Sequence, residues 1–217
     1  MVALSVCVAA IGSIGAASRQ PRAAQTAPTE ADRELWQKVP EIFKAMGISV
    51  GSRVADIGAG SGFFTVRLAR TVGPRGRVVA VDVNPDTVRQ LQERIAREQL
   101  QNVEVHTGTH ADPRLPGSLD AVLIVNAYHE MTEHQTVLDN IRQALKLEGR
   151  LVIVEPIAQA REKTSRAEQY ANHEISLDYV ADDLLKAGFT ITERRTRFVE
   201  NLLDRDIEWL IVAKPAY

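Results

Sequence analysis

The chain has 217 residues, 45% hydrophobic and 25% charged, a balance that suits one soluble globular domain with a short extension rather than two catalytic domains. Its formal net charge is −2 with basic residues spread along the chain, so no basic stripe announces nucleic-acid binding and a small or neutral substrate is the default. The single cysteine, Cys7, lies in the amino-terminal apolar segment, which excludes disulfides, thiolate metal sites and cysteine nucleophiles from the folded part.

Residues 2–17 are apolar and small, and a stretch rich in Ala, Gln and Pro follows to Pro28. The pattern resembles a signal-peptide core with small residues for cleavage near Ala16 to Ser18. Against export, no Lys or Arg precedes the run, whereas Arg19 and Arg22 follow it, which favours a cytoplasmic carboxyl-terminal domain. The run is also shorter than the roughly 20 residues of a spanning helix, so an export signal, a weak anchor and a disordered tail all stay open. Any membrane contact belongs to residues 2–17, and localisation and oligomeric state are undetermined. Residues 1–28 are thus set apart from a domain over 29–217.

From Glu30 to Met46, apolar residues at Leu35, Trp36, Val39, Ile42, Phe43 and Met46 follow a period near 3.6, which predicts an amphipathic helix that Pro40 kinks or divides. Trp36 and Phe43 read as core. From Arg53 strand and helix alternate: strand 53–57, helix 62–72, strand 77–82, helix 85–99, strand 102–107, strand 119–125, helix 132–147, strand 149–155. Apolar, β-branched strands in such alternation predict a parallel sheet covered on both faces. A helix over 176–187 and strands 189–198 and 207–213 complete the chain, the last two pairing as an antiparallel hairpin.

The most informative stretch is Val54-Ala-Asp-Ile-Gly-Ala-Gly-Ser-Gly-Phe-Phe-Thr65. A buried strand runs into Gly58, Gly60 and Gly62 and then into a helix, so the backbone turns sharply and the first N–H groups of the helix offer a site for a carboxylate or phosphate. A dinucleotide fingerprint needs its third glycine at position 63, where this chain has Phe63, which argues against NAD. Twenty residues past Gly62 the next strand ends in Asp82, a carboxylate placed to accept two ribose hydroxyls.

These two elements resemble the class I S-adenosylmethionine-dependent methyltransferases, whose first motif reads D-x-G-x-G-x-G and whose second strand ends in Asp or Glu. The resemblance covers about residues 30–214. It implies a doubly wound α/β, Rossmann-like sheet of seven strands, mostly parallel, with the seventh inserted antiparallel between the fifth and sixth. It also implies S-adenosylmethionine as cofactor. The backbone of Gly58, Ala59, Gly60 and Gly62 would meet the methionyl end, Asp56 its ammonium through water, and Asp82 the ribose. Val83 would pack on the adenine, and Asn126 would offer its backbone carbonyl to the ammonium. Where the family places an acid against the adenine amino group this chain has Gly108-Thr109, which leaves Asp112 as the amino-group partner and His110 or Ala111 as a backbone contact, although an Asp before Pro113 is also a standard turn starter. Arsenite methylation, which relies on several cysteines in the related family, is not supported.

Methyl transfer from a sulfonium is an in-line displacement, so the protein mainly aligns the acceptor, excludes water and, where needed, removes a proton. Tyr128, His129 and Glu130 follow the fourth strand at the carboxyl edge of the sheet and are the candidate catalytic residues, set against a plain structural role. Glu155 and His173 are further residues able to converge with His129 on an acceptor hydroxyl or a divalent ion, although scattered donors make no metal motif and none is expected. The reading is a methyltransferase acting on a small-molecule acceptor. The alternatives are an NAD-dependent oxidoreductase and a non-catalytic protein that binds S-adenosylmethionine. Specificity is expected in the amino-terminal helix and in Ile157 to Ser176, where the side chains follow no decodable pattern.

Overall fold

The computed structural model describes residues 29–201 and 206–216, so the expectations attached to residues 1–28 lie outside the described residues. Strands β1 (Arg53–Ile57), β2 (Arg77–Asp82), β3 (Val103–Thr107), β4 (Leu119–Val125) and β5 (Leu145–Ala158) pair in parallel. Strands β6 (Phe189–Asn201) and β7 (Asp206–Pro215) form a hairpin, and β7 runs antiparallel to both β5 and β6. The strand order is β3-β2-β1-β4-β5-β7-β6, so the seventh strand inserts between the fifth and sixth as the resemblance implies.

Each central strand is apolar on both faces because each face is covered. Along β2, Val78 and Ala80 face one layer while Val79 and Val81 face the other. Helices α2 (Val39–Met46), α3 (Phe63–Val72) and α4 (Pro85–Arg97) cover the first face, and α5 (His134–Ala144) and α7 (Leu177–Lys186) the second. Leu123 and Ile124, neighbours on β4, are fully buried in opposite layers. Truncating either to Ala would cost about 2–5 kcal/mol, from lost apolar transfer and the cavity left behind.

The predicted helix over Glu30–Met46 is two helices, α1 (Glu30–Trp36) and α2. Lys38 takes the left-handed conformation (φ 52°) between them, and Pro40 opens the second, where its missing N–H costs no helical hydrogen bond. The expected core role of Trp36 is corrected: α1 buries no residue, and Leu35 and Trp36 are 79% and 47% exposed. Charge holds α1 instead, through Glu30 to Arg67 and Arg94 and Glu34 to Arg67. Phe43 does pack, half-buried, on the core.

One boundary also moves and one helix is new. The helix expected over 132–147 ends at Ala144, because Leu145 already pairs with Leu119 as the start of β5. A short helix, α6 (Arg166–Ala171), arises inside the undecoded stretch, capped by Ser165. Its buried Gln169 donates to the Arg161 carbonyl (2.7 Å) and accepts from Ser176 N–H (2.8 Å), tying that stretch to the start of α7. Among the described residues no helix is long and apolar enough to cross a membrane.

Candidate functional site

β1 delivers the glycine loop to the carboxyl edge of the sheet, where the N–H groups of Gly58 and Ala59 both donate to the carbonyl of Val81 (2.9 and 3.0 Å). Gly58, Gly60 and Gly62 have φ of 73°, 53° and 83°, and Gly62 is the N-cap of α3. A Cβ on Gly58 would lie 2.4 Å from the Cβ of Ala127, so a glycine is required for the ends of β1 and β4 to come this close. The loop is pinned by Asp82, whose two carboxylate oxygens accept from Gly60 N–H and Asn84 N–H, each at 3.0 Å. Ala59 is turned into the core beside Val66 and Leu91, leaving its backbone on the loop.

A cavity of about 470 Å³ opens beside this loop, within the usual size of a cofactor site. Gly58, Asp82 and the half-exposed Val83 line it, as do Asn126, Ala127, Glu130 and Met131. Asn126 is left-handed (φ 52°) with its N–H on the Val154 carbonyl, which turns the chain from β4 into the cavity wall. A glycine cradle that a Cβ would fill, a carboxylate at the end of β2 and a cavity between them fit S-adenosylmethionine in shape and chemistry.

Two expected cofactor residues sit elsewhere. Asp56 is buried behind the loop, where its carboxylate accepts from the Thr65 hydroxyl (2.6 Å), and burial pushes its pKa up to about 6 against the pull of that bond. Asp112 is exposed and accepts from Arg114 N–H (2.7 Å) in its own turn, whereas its neighbours Thr109, His110 and Pro113 line the cavity.

The three candidate catalytic residues form a 3-10 turn, Tyr128–Glu130, and diverge from it. Tyr128 is fully buried and its hydroxyl donates to Asp183 (3.0 Å), a carboxylate that Arg166 also grips at 2.7 and 3.0 Å. Burial first, and then Asp183, push its pKa up. Its hydroxyl therefore points away from the cavity. His129 is buried with Nδ1 2.6 Å from Glu155 Oε2 and Nε2 3.2 Å from Glu130 Oε1. Burial opposes its charge, but the two carboxylates outweigh burial and hold its pKa above the ordinary value. Glu130 stands on the cavity wall and also meets His173 Nδ1 at 2.6 Å, and that bond is the main reason its pKa is lowered.

Sequence reasoning missed Met131 and Asn84 in the wall and Glu208 near the start of β7, between β5 and β6. Burial pushes the Glu208 carboxyl up to about 7, although Gln37 donates to it at 3.2 Å. Its signal is an acid within the apolar run of β7, Ile207 to Ala213. Nothing local marked Asn84, which reads as an ordinary N-cap of α4.

An open α/β sheet with this loop and Asp82 at adjoining strand ends defines a class I methyltransferase architecture. The family model described as "Methyltransferase domain" matches residues 48–201, and the chain belongs to that family, the class I S-adenosylmethionine-dependent methyltransferases. Among curated proteins it is similar to an arsenite methyltransferase of Halobacterium salinarum, 31% identical over 60% of this chain and 33% of that protein. It is also similar to the demethylmenaquinone methyltransferase of Lactococcus lactis, 31% identical over 56% of this chain and 48% of the relative. The chain thus spans half or less of the length of these relatives. Among solved structures, an S-adenosylmethionine-dependent methyltransferase from Aquifex aeolicus superposes with TM-score 0.70 at 25% identity, over 83% of this chain and 91% of the other. The [4+2]-cyclase SpnF shares the fold alone, with TM-score 0.71 at 16% identity over 85% and 83%, a reminder that this fold does not name a reaction.

Proposed function

We propose that this chain transfers the methyl group of S-adenosylmethionine to a small-molecule acceptor bearing an ionisable hydroxyl, with a reduced quinone as the first compound to test. The observation that carries the reading is that one cavity is bordered both by Gly58 and Asp82 on the donor side and by Glu130, which is bonded to His129 and His173. When bound, the cofactor supplies an electrophilic methyl group on a sulfonium. The loop backbone holds its amino-acid end, Asp82 accepts from its ribose, and Val83 packs on its adenine. Glu130, backed by His129 and Glu155, takes the acceptor proton as the acceptor attacks.

The acceptor class draws on the demethylmenaquinone methyltransferase, and on half of the length of that protein. Arsenite is the weaker choice despite the Halobacterium relative, because Cys7 is the only thiol in the sequence.

Titration calorimetry on the full chain with S-adenosylmethionine, its demethylated product and NAD, beside Asp82→Ala, tests the donor half. Micromolar binding of the first two that collapses in the variant is expected, and binding of NAD alone would overturn the reading. Mass spectrometry of a hydroquinone incubated with donor and protein then tests the acceptor half, with a gain of one methyl group expected.

A further inference from the structure

We propose that His129, Glu130 and His173 together bind one zinc-type divalent cation at the edge of the cavity. Each offers one ligand atom, all within 4.8 Å of one another, and they come from two separate segments, the turn after β4 and the loop before α7. Two imidazoles and one carboxylate with open positions is a donor set suited to zinc rather than to magnesium, which prefers oxygen.

The distances are close to what coordination needs. Donor atoms around a tetrahedral zinc ion lie roughly 3.3–3.5 Å apart. His129 Nε2 and Glu130 Oε1 are already 3.2 Å apart, and His173 Nδ1 needs to retreat from its 2.6 Å contact with the same oxygen. The His173 side chain is 76% exposed and free to do so.

The second observation is Glu155, fully buried, which accepts at His129 Nδ1. That bond holds a proton on Nδ1, so a cation that displaced the Nε2–H contact with Glu130 (3.2 Å) would meet the Nε2 lone pair, the carboxylate–histidine arrangement that orients metal-ligating imidazoles. One oxygen of Glu130 is approached by two imidazole nitrogens, and these three atoms are the ones a single divalent cation would take.

The role of the cation rests on the methyl-transfer reading above, whereas its binding does not. With the cation bound, Glu130 would serve as its ligand and the cation would take over the part given above to Glu130 as base: an acceptor hydroxyl on the cation would lose its proton to solvent more readily. Its oxygen lone pair would bond the methyl carbon as the carbon–sulfur bond breaks and that electron pair stays on sulfur; if the activated ring carbon attacks instead, the hydrogen on that carbon then leaves as a proton to solvent and its bonding pair restores the ring.

The test uses the full chain stripped with a chelator and titrated with Co²⁺ as a coloured substitute for zinc. One Co²⁺ per chain, with visible absorption displaced by one equivalent of Zn²⁺ and not by Mg²⁺, is expected. His173→Ala and Glu130→Ala, both at exposed side chains and checked for folding by circular dichroism, should each weaken binding at least tenfold. Glu155→Gln should weaken it about 10–100-fold by moving the His129 proton onto Nε2. His106→Ala, on β3 outside the cluster, should leave it unchanged. No saturable Co²⁺ binding, or binding indifferent to His173→Ala and Glu130→Ala in folded protein, overturns the site. Donor binding without metal binding overturns this inference alone, and metal binding without donor binding overturns the methyl-transfer reading alone.

Discussion

Glu155 serves His129 and the backbone at once: Oε2 lies 2.6 Å from His129 Nδ1, while Oε1 accepts from the N–H groups of Ala127 (2.6 Å) and Tyr128 (2.7 Å). One buried side chain thus fixes both the path of the turn and the tautomer of the imidazole within it. Glu155→Ala should cost about 3–5 kcal/mol by leaving buried donors unpaired. Glu155→Gln can still accept both backbone bonds and should cost about 1 kcal/mol, yet its amide would donate to Nδ1 and misplace the proton. Turnover of the Gln variant should fall about 100-fold with donor affinity kept. Urea denaturation and steady-state kinetics separate the two effects, and unchanged turnover would remove His129 from the chemistry.

Asp82 has one lone pair per oxygen engaged by Gly60 and Asn84, and the others remain to accept ribose hydroxyls. Asp82→Asn should weaken donor binding about 10–100-fold, since bonds to a charged acceptor contribute about 1.5–3 kcal/mol each. Calorimetry with the demethylated product gives the number without turnover; affinity within twofold of wild type would deny Asp82 the ribose.

Gly58 and Gly60 share a loop but differ in space. Gly58→Ala meets Ala127 at 2.4 Å as well as a left-handed backbone, whereas a Cβ on Gly60 finds nothing nearer than 4.0 Å. We expect about 3 kcal/mol or more for Gly58→Ala and about 1–2 kcal/mol for Gly60→Ala, which bears the backbone strain alone. Thermal melts of the pair would settle the order, and equal losses would mean that the approach of β1 to β4 is not limiting.

Asp56 sets a pH dependence of stability. Its folded pKa, about 6, lies above the ordinary 3.8, so the folded state holds this proton more tightly than the unfolded one. The contribution is complete below about pH 4 and is lost as pH rises through 6. Relative to Asp56→Asn, wild type should therefore lose on the order of 2–3 kcal/mol between about pH 4 and 7. Denaturant midpoints of both proteins across that range measure it; parallel curves would show that Asp56 is solvated after all.

Tyr128 is bonded to Asp183 rather than facing the cavity. Tyr128→Phe should cost about 1 kcal/mol and leave kcat and donor affinity within twofold. A tenfold loss of kcat in folded protein would return the phenol to the reaction.

Much of the fold was legible because its signals are local. Apolar β-branched runs of five to seven residues mark buried parallel strands, and three glycines between a strand and a helix mark a backbone that must take positive φ. The end of Asp82 on its strand is likewise a matter of counting. The split at Lys38 was half legible, since Pro40 announced a break but not which half would face solvent.

Periodicity in residues 30–46 marks an apolar stripe, and whether a stripe is covered depends on what lies above it. Trp36 is exposed because α1 is anchored by Glu30 and Glu34 to arginines on α3 and α4. The same limit left the cluster at the cavity only partly legible: the convergence of His129, Glu155 and His173 was offered by the sequence, but not that Glu130 would stand between the two histidines. Glu130 and His173 are 43 residues apart, and Gln37 and Glu208 are 171 apart, distances over which no spacing rule operates. The sequence by itself determined the sheet, its glycine cradle and the acid beside it, since each depends on backbone geometry or burial within a few residues. Only the tertiary structure decided that Asp112 serves its own turn, that Tyr128 is bonded inward and that two histidines meet one carboxylate, because side-chain partners are chosen by packing across the fold.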